Sequence, residues 1–261
     1  LGFDADGDVR WRYHARASPI ALAVDANGGR VAVAYNRCTD HHVHGLVVLD
    51  VDAGDPVAFW DPGTEGDRRV GDVAFVDGDV AVASHGDEHG YLLDADGGER
   101  WRVDLGSERA VDGETVYAYP NHVCAAAGTA VFVTGNTYAE STRDPDARHP
   151  REHTAVAVDG GDVAWTHDVG GFARGVSANG PLVAVPSAQH FRERTADAHA
   201  VHLLDARRGH VASESIPGIA SAAALGDDAL AVVEEPVEYH DEGVTHGAHR
   251  LHAWRVDGAG R

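Results

Sequence analysis

The chain has 261 residues, of which 42 are acidic and 21 are basic, so its formal charge is -21. This length is enough for one large β domain with its own core or for two smaller domains. The negative charge argues against nucleic-acid binding, which needs a basic face, and no run of eighteen apolar residues is present that could span a membrane.

One short phrase, an apolar run closed by an Asp/Gly turn, recurs along the chain. It opens the sequence as LGFDADGD and returns as VVLDVDAG, YLLDADGG, AVAVDGGD and HLLDARRG. The aligned residues are Asp4, Asp50, Asp94, Asp159 and Asp205. They are spaced 44 to 46 residues apart, except for one interval of 65 that contains the polar stretch 136–153. The strand after the turn carries Trp11, Trp60, Trp101 and Trp165 in turn, and Ser213 replaces the aromatic residue in the fifth copy.

A second hairpin pattern lies between these phrases, with Asp-Gly, Asn-Gly or Gly-Asp at several of its tips. Four strands, here called a, b, c and d, then recur about every 45 residues, which is typical of a propeller blade. We therefore predict an all-β fold, one β-propeller domain over residues 1–261. Its predicted four-stranded antiparallel blades span approximately 20–62, 70–106, 119–170, 173–216 and 219–261, the last completed by 8–15.

The Asp/Gly turn followed by a Trp-bearing strand resembles the repeat of pyrroloquinoline-quinone (PQQ) dehydrogenase-type propellers. That superfamily also contains non-catalytic members, such as the outer-membrane assembly lipoprotein propellers. This sequence lacks the Thr before the Gly of the repeat, and its Gly-to-Trp spacing varies. The resemblance implies a propeller. It does not imply PQQ as a cofactor, because the repeat packs blades and the eight blades, calcium site and vicinal disulfide of the dehydrogenases have no counterpart here.

Closure of the ring is predicted from the N-terminal segment. Residues 8–14 would supply the d strand of the fifth blade, and residues 1–7 would remain as a leftover c strand. Five blades closed in this way is our expectation, and a truncated ring of six or more blades is the alternative. An upstream signal or anchor could have been lost, so the compartment stays open, with an extracytoplasmic location slightly favoured.

All 21 basic residues are arginine, and the chain contains no methionine. With the excess of carboxylates, this composition resembles that of halophilic archaeal proteins, whose acidic surfaces stay hydrated where salt screens their repulsion. The acidity is therefore interpreted as an adaptation to salt. Two cysteines, Cys38 and Cys124, do not make a disulfide framework.

A histidine stands at the start of each predicted c strand. These residues are His44, His89, His153, His199 and His249. Because strand c lies about 10 Å from the first strand, such histidines would be too far apart for a single ion. Capping of each blade by its own histidine is the favoured interpretation. The loop around His240, His246, His249 and His252 is a further potential ligand set, and Asp4 to Asp8 resembles the start of a calcium loop whose bidentate Glu is missing.

A binding site, if present, is predicted nearer the axis, where strands a begin and strands b end. The polar residues expected there are Asn36, Asp72, His85, Asn121, His122, Arg174, His190, Glu234 and Glu235. Among these, His85, His122 and His190 could hold a divalent metal such as zinc or copper.

The function predicted from these features is non-catalytic binding of a protein partner or a small polar ligand on the b–c loop face, by a monomeric protein. The alternative is a metal-dependent enzyme that uses His85, His122 and His190, with Glu234 or Glu235 as general base and Arg174 stabilising anionic charge. Nucleic acid is not an expected partner, and no insertion into a membrane is expected.

Overall fold

The computed structural model describes residues 1–37, 44–63, 68–111, 113–136, 151–189, 194–239 and 242–256. Across this part of the chain the regular elements are strands and one turn of 3-10 helix at Ala196–His199, with no α-helix. Two compact units are present. Unit 1 is Leu1–Leu105 with Pro120–Val123, and unit 2 is Gly106–Tyr119 with Cys124–Arg261. The single domain predicted over residues 1–261 stays a prediction.

Unit 1 contains two four-stranded antiparallel sheets and a two-stranded hairpin. Its strands are β1 (Gly2–Phe3), β2 (Val9–Trp11), β3 (Pro19–Val24), β4 (Arg30–Tyr35), β5 (Leu46–Asp50), β6 (Pro56–Trp60), β7 (Val70–Val76), β8 (Asp79–Ser84), β9 (His89–Leu93) and β10 (Glu99–Asp104). The sheets have the orders β3-β4-β5-β6 and β7-β8-β9-β10, which is the consecutive pairing predicted for blades. Alternating Val, Leu and Ala side chains of both sheets form one buried cluster.

Unit 2 continues the same up-and-down pattern. Its strands are β11 (Ser107–Val111), β12 (Glu114–Ala126, of which Pro120–Val123 belong to unit 1), β13 (Thr129–Asn136), β14 (Thr154–Asp159), β15 (Asp162–Asp168), β16 (Phe172–Ala173), β17 (Ser177–Asn179), β18 (Leu182–Gln189), β19 (Val201–Asp205), β20 (Gly209–Glu214), β21 (Ile219–Leu225), β22 (Ala229–Glu235), β23 (Val237–Glu238), β24 (Thr245–His246) and β25 (Arg250–Arg255). The main sheets have the orders β11-β12-β13-β14-β15, β16-β18-β19-β20 with β17 also on β18, and β21-β22-β25.

The predicted closure by the N-terminal segment is not the pairing found among the described residues. Val9–Trp11 pairs with Gly2–Phe3, and the sheet of β25 contains three strands. The local hairpin forms because the Asp4 carboxylate accepts hydrogen bonds from the N–H groups of Asp6 and Asp8, at 3.0 and 2.8 Å. Such a turn brings neighbouring strands together at a low entropic cost, whereas pairing with the fifth sheet requires a long-range closure. The number of blades stays a prediction.

The repeated aspartates close the turns between strands c and d. In four of the five turns the carboxylate accepts a hydrogen bond from the backbone N–H two residues later, as an Asx turn does, whereas Asp159 pairs directly with Asp162 across a Gly-Gly turn. The bonds measure 3.0 Å at Asp4, 2.9 Å at Asp50, 3.1 Å at Asp94 and 3.0 Å at Asp205. These carboxylates therefore form part of the backbone turn, which favours a structural role over the calcium-loop alternative.

Tryptophans of the outer strands fasten one sheet to the turn of the next. In unit 1 the Trp11 indole donates a hydrogen bond to the Val51 carbonyl at 2.6 Å, and a Cβ on Gly54 would lie 2.4 Å from the ring. In unit 2 the Trp165 indole donates to the Ala206 carbonyl at 2.9 Å and lies against Gly209. Val51 and Ala206 each follow the repeated Asp, so both junctions use the same two positions of the repeat.

Strand register corrects the alignment of the aromatic residues. Trp11, Trp101 and Trp165 each lie opposite the residue two positions before the repeated Asp. The same register places Ala58 opposite Val48 and Ala212 opposite Leu203. Ala58 and Ala212, not Trp60 and Ser213, are therefore equivalent to the docking tryptophans. Bulges between strands c and d shift the spacing, which is why counting along the sequence misaligned them.

A cavity of about 300 Å³ lies where the indole is missing in the fifth copy of the repeat, that of Asp205. Its lining includes Ala212, Leu203, Trp254 and Val256. The N–H of Val256 donates to the Asp228 carbonyl at 2.9 Å, as that of Ala206 donates to the Pro181 carbonyl at 2.8 Å. Val256 is therefore at the position whose carbonyl accepts the indole N–H at the two occupied junctions.

The variant Ala212→Trp is expected to fill this cavity and to raise the free energy of unfolding by about 1–2 kcal/mol, because it buries an aromatic side chain without displacing a packed one. Chemical denaturation of the two proteins measures the difference. Thr166→Trp, which places the same side chain at an exposed position of β15, is the control and should give no gain. A loss of stability in Ala212→Trp alone would contradict the assignment.

Candidate functional site

The structure brings five of the predicted site residues together within unit 1, and three others belong to unit 2. Unit 1 contains a polar cluster at strand ends, made of Asn36, Asp72, His85, Asn121 and His122 and named here the unit 1 polar cluster. Arg174, Glu234 and Glu235 belong to unit 2. His190 lies outside the described residues, as do Cys38 and His240.

His85 is the buried centre of the unit 1 polar cluster. Its Nδ1 lies 3.0 Å from Asn36 Nδ2, and a Cβ on Gly71 would lie only 2.0 Å from its Nε2. Burial, followed by the positive charges of Arg68, His122 and Arg37, lowers the pKa of His85 to about 3, against a smaller opposing effect of the Asn121 hydrogen bond. The ring is therefore neutral at pH 7, and its enclosed nitrogens favour a structural role over the predicted role as a metal ligand.

Asp72 and His122 form a second part of the unit 1 polar cluster. The Asp72 carboxylate lies 3.4 Å from His122 Nδ1 and accepts the Val123 N–H at 3.1 Å. Asn121 Nδ2 lies 3.0 Å from His122 Nε2. The Asp72 carboxylate thus connects the segment Pro120–Val123 to β7. The His122 imidazole lies between this carboxylate and the side-chain amide of Asn121.

Three arginines surround the unit 1 polar cluster. Arg37 and Arg68 pair with each other through an isolated antiparallel β-bridge, and both are close enough to His85 to lower its pKa. Arg69 is buried, pairs with Asp61 at 2.9 Å and donates its backbone N–H to the Asn36 side-chain oxygen at 3.4 Å. Because the charges of both Arg37 and Arg68 act on the His85 ring, this is a local positive region in a chain of charge -21.

The two glutamates of unit 2 differ in environment. Glu234 is fully buried, and its carboxylate accepts the N–H groups of Gly218 and Ala248, both at 3.1 Å, while His252 Nε2 lies 2.7 Å away. Burial raises the pKa of Glu234, but these hydrogen bonds and the Arg250 charge outweigh it, so the net shift is downward. An ionised, fully engaged carboxylate fits a structural anchor better than the predicted general base. Glu235 lies 3.5 Å from Arg174.

The histidines at the starts of strands c have unlike surroundings. His89 Nδ1 lies 2.6 Å from the Asp87 carbonyl, as a cap of its own loop would. His199 is buried and bonds to the Tyr239 hydroxyl at 3.0 Å, and His153 is fully buried in a left-handed backbone conformation. His44 and His249 are exposed. Capping therefore accounts for His89 and in part for His199, but not for the exposed pair.

Sequence reasoning did not single out a group of three histidines in unit 2. His167, His202 and His210, named here the three-histidine cluster, each offer a ring nitrogen, and these atoms lie within 4.8 Å of one another. Burial and then the charges of His167 and His210 lower the pKa of His202 to about 4, with smaller opposing effects of Val169 and Asp168. The residues come from three strands, and only the pairing of β19 with β20 and the approach of β15 reveal the group.

Comparison by sequence yields no relative, since no protein-family model and no curated protein matches this chain. Within the described residues, no helix is long and apolar enough to cross a membrane.

Comparison by structure identifies the fold. The chain is similar to hydrazine synthase of Kuenenia stuttgartiensis (12% identity, TM-score 0.53), with 89% of this chain covering 59% of that one. It is also similar to the Cps50 (Swd1) β-propeller domain of Myceliophteria thermophila (11% identity, TM-score 0.51), with 92% of this chain covering 72% of that one. The present chain thus spans less than two thirds of the hydrazine synthase chain. Together with the consecutive antiparallel sheets, these similarities confirm the predicted β-propeller fold.

Stability is expected to fall on acidification because of His85. Its pKa is about 3 in the folded protein against an ordinary 6.5, so between these values the unfolded chain binds more protons. Lowering the pH from 7 to 5 should therefore remove about 2 kcal/mol of the free energy of unfolding through this residue. His85→Asn should show a shallower decline over that range in chemical denaturation, although it is less stable at pH 7. The exposed His14→Gln is the control, and an unchanged slope in His85→Asn would contradict the assignment.

Proposed function

We propose that this protein is a non-catalytic binding propeller of the PQQ-repeat type from a halophilic archaeon. The repeat assignment is supported by its use in packing, since Trp11 and Trp165 dock on the glycine of an Asp-containing turn in the same way. The halophilic assignment is supported by the charge of -21 and by the exclusive use of arginine as the basic residue. Fold alone does not specify a ligand, so the ligand is inferred from the site.

The proposed ligand is a small polar anion, bearing a carboxylate or phosphate group, bound at the unit 1 polar cluster. The observation that carries this proposal is the bridge between Arg37 and Arg68 beside the neutral ring of His85. Guanidinium groups bind carboxylate and phosphate oxygens through paired hydrogen bonds. Side-chain amides of Asn36 and Asn121 lie in the same cluster and add donors of the kind that orient a polar ligand.

Binding rather than catalysis is favoured by how the titratable groups are used. His85 is neutral and enclosed, and Asp72 is engaged with His122 and the Val123 N–H. A general base must have an accessible acceptor near the reacting proton. The groups that could act as bases in this cluster instead hold strand ends in place, so the cluster resembles a rigid receptor.

Calorimetric titration with inorganic phosphate and with citrate, at constant high ionic strength, tests the site. Saturable binding of at least one probe is expected, and Arg37→Gln/Arg68→Gln should weaken it at least tenfold because the paired donors are lost. The charge-matched control Arg100→Gln/Arg102→Gln alters two arginines of β10 in the same unit and should bind as the wild type does. Equal binding by both double variants, or no binding of either probe, would refute the assignment.

Salt dependence tests the halophilic proposal. The fold should be lost, or its free energy of unfolding sharply reduced, on dialysis from about 3 M to about 0.1 M NaCl, because the screening length then grows from below 3 Å to about 10 Å. Circular dichroism across the series measures the loss. Sucrose added at low salt is the control, since it favours compact states without screening charge. A fold that is equally stable at both salt concentrations would contradict the proposal.

A further inference from the structure

The three-histidine cluster is specific to one junction between two sheets of unit 2. His167 lies on β15, two residues after the docking Trp165, and His202 and His210 lie on β19 and β20 of the next sheet. At the position of His202, three residues before the repeated Asp, three other strands c carry Val47, Tyr91 and Val156. Strand β25 carries His252 there, but that imidazole lies 2.7 Å from Glu234, whereas His202 has two further histidines beside it.

The imidazoles of the cluster converge on one point. His167 Nε2 lies 3.1 Å from His202 Nδ1, and the rings of His167 and His210 stack with centroids 4.6 Å apart. The Ser213 hydroxyl lies 2.9 Å from His202 Nδ1 and 2.8 Å from His210 Nε2. Two nitrogens bound to one tetrahedral zinc ion lie about 3.4 Å apart, given Zn–N bonds of about 2.0–2.1 Å. The distance between the His167 and His202 nitrogens is close to this value, and the ligand nitrogens of all three residues lie within 4.8 Å of one another.

The three imidazoles of the cluster differ in solvent exposure, so an ion can reach the cluster from its exposed side. His202 is buried, His167 is half-buried and His210 is exposed. The register of β19 and β20 shifts between Leu203 and Leu204, next to the pair formed by Leu204 and His210, so the most exposed imidazole lies beside a bulge. A fixed inner ligand and an adjustable outer one allow the last coordinate bond to form without moving the sheets.

We propose that His167, His202 and His210 form a binding site for a divalent transition-metal ion of the zinc or copper class, bridging two sheets of unit 2. Three neutral nitrogen ligands suit borderline metals that prefer imidazole, whereas calcium and magnesium require several oxygen ligands. Ser213 stands beside two of the imidazoles, where it can hydrogen-bond a water molecule that completes the coordination. This site is separate from the unit 1 polar cluster, and neither proposal depends on the other.

Metal titration of the tag-free full chain tests the proposal. Zinc or copper is added in competition with a chromophoric chelator, and one ion per chain with a Kd in the micromolar range or below is expected. His167→Gln/His210→Gln should weaken this binding at least thirtyfold, and calcium should not compete. The matched control His246→Gln/His249→Gln removes two histidines from another part of unit 2, one at the end of β24 and one in the loop after it, and should retain the tight site.

Two further measurements separate loss of ligands from loss of fold. The melting temperature should rise by several degrees with zinc in the wild type and in the control but not in His167→Gln/His210→Gln, because the ion joins two sheets. Electron paramagnetic resonance of the copper-loaded chain should show coupling to three nitrogens. Tight binding that survives in His167→Gln/His210→Gln, or wild-type binding no tighter than that of this variant, would overturn the assignment.

Discussion

The packing of an indole on the glycine of the next Asp-containing turn is the interaction on which the rest of this structure depends. Each sheet forms from consecutive antiparallel hairpins, and its apolar faces must be buried against neighbouring elements. The repeated Asp shapes the turn, the Gly after it admits the ring, and the carbonyl between them accepts the indole N–H. The Trp and the Asp/Gly turn belong to hairpins formed by neighbouring segments of the chain, and the same residues also connect one sheet to the next.

The junctions between sheets differ from one another in the residues at and beside the docking indole. Ala212 stands in place of the indole in the fifth copy of the repeat and leaves a cavity lined by Trp254 and Val256. At the preceding junction the indole of Trp165 is present, and three histidines gather beside it. A regular scaffold with local substitutions is how propellers acquire individual sites while keeping one architecture, since the substituted positions lie on faces already held together by their neighbours.

Charge is distributed unevenly in a chain that is acidic as a whole. Most carboxylates can be solvated at the surface, and several are used in turns. The unit 1 polar cluster departs from this pattern, because two arginines and two histidines lie together where strands end. Burial, together with the charges of these neighbours, lowers the pKa of His85, so the buried ring stays neutral. This local concentration of arginine in an acidic protein is the electrostatic feature on which the proposed anion site rests.

The sequence by itself determined the strands, their consecutive pairing and the turns. Asp/Gly chemistry and period-two alternation act over only a few residues, so they can be recognised without a structure. It also indicated that one region contains Asn36, Asp72, His85, Asn121 and His122. The repeat makes this possible, because it shows where each strand a begins and each strand b ends.

Only the tertiary structure decided the rest. Bulges shifted the docking position from Ser213 to Ala212, and the N-terminal strand paired with its nearest neighbour. His167, His202 and His210 met through contact between two sheets. Such outcomes depend on register and on packing between faces, which residues distant in the chain settle together and no local pattern encodes.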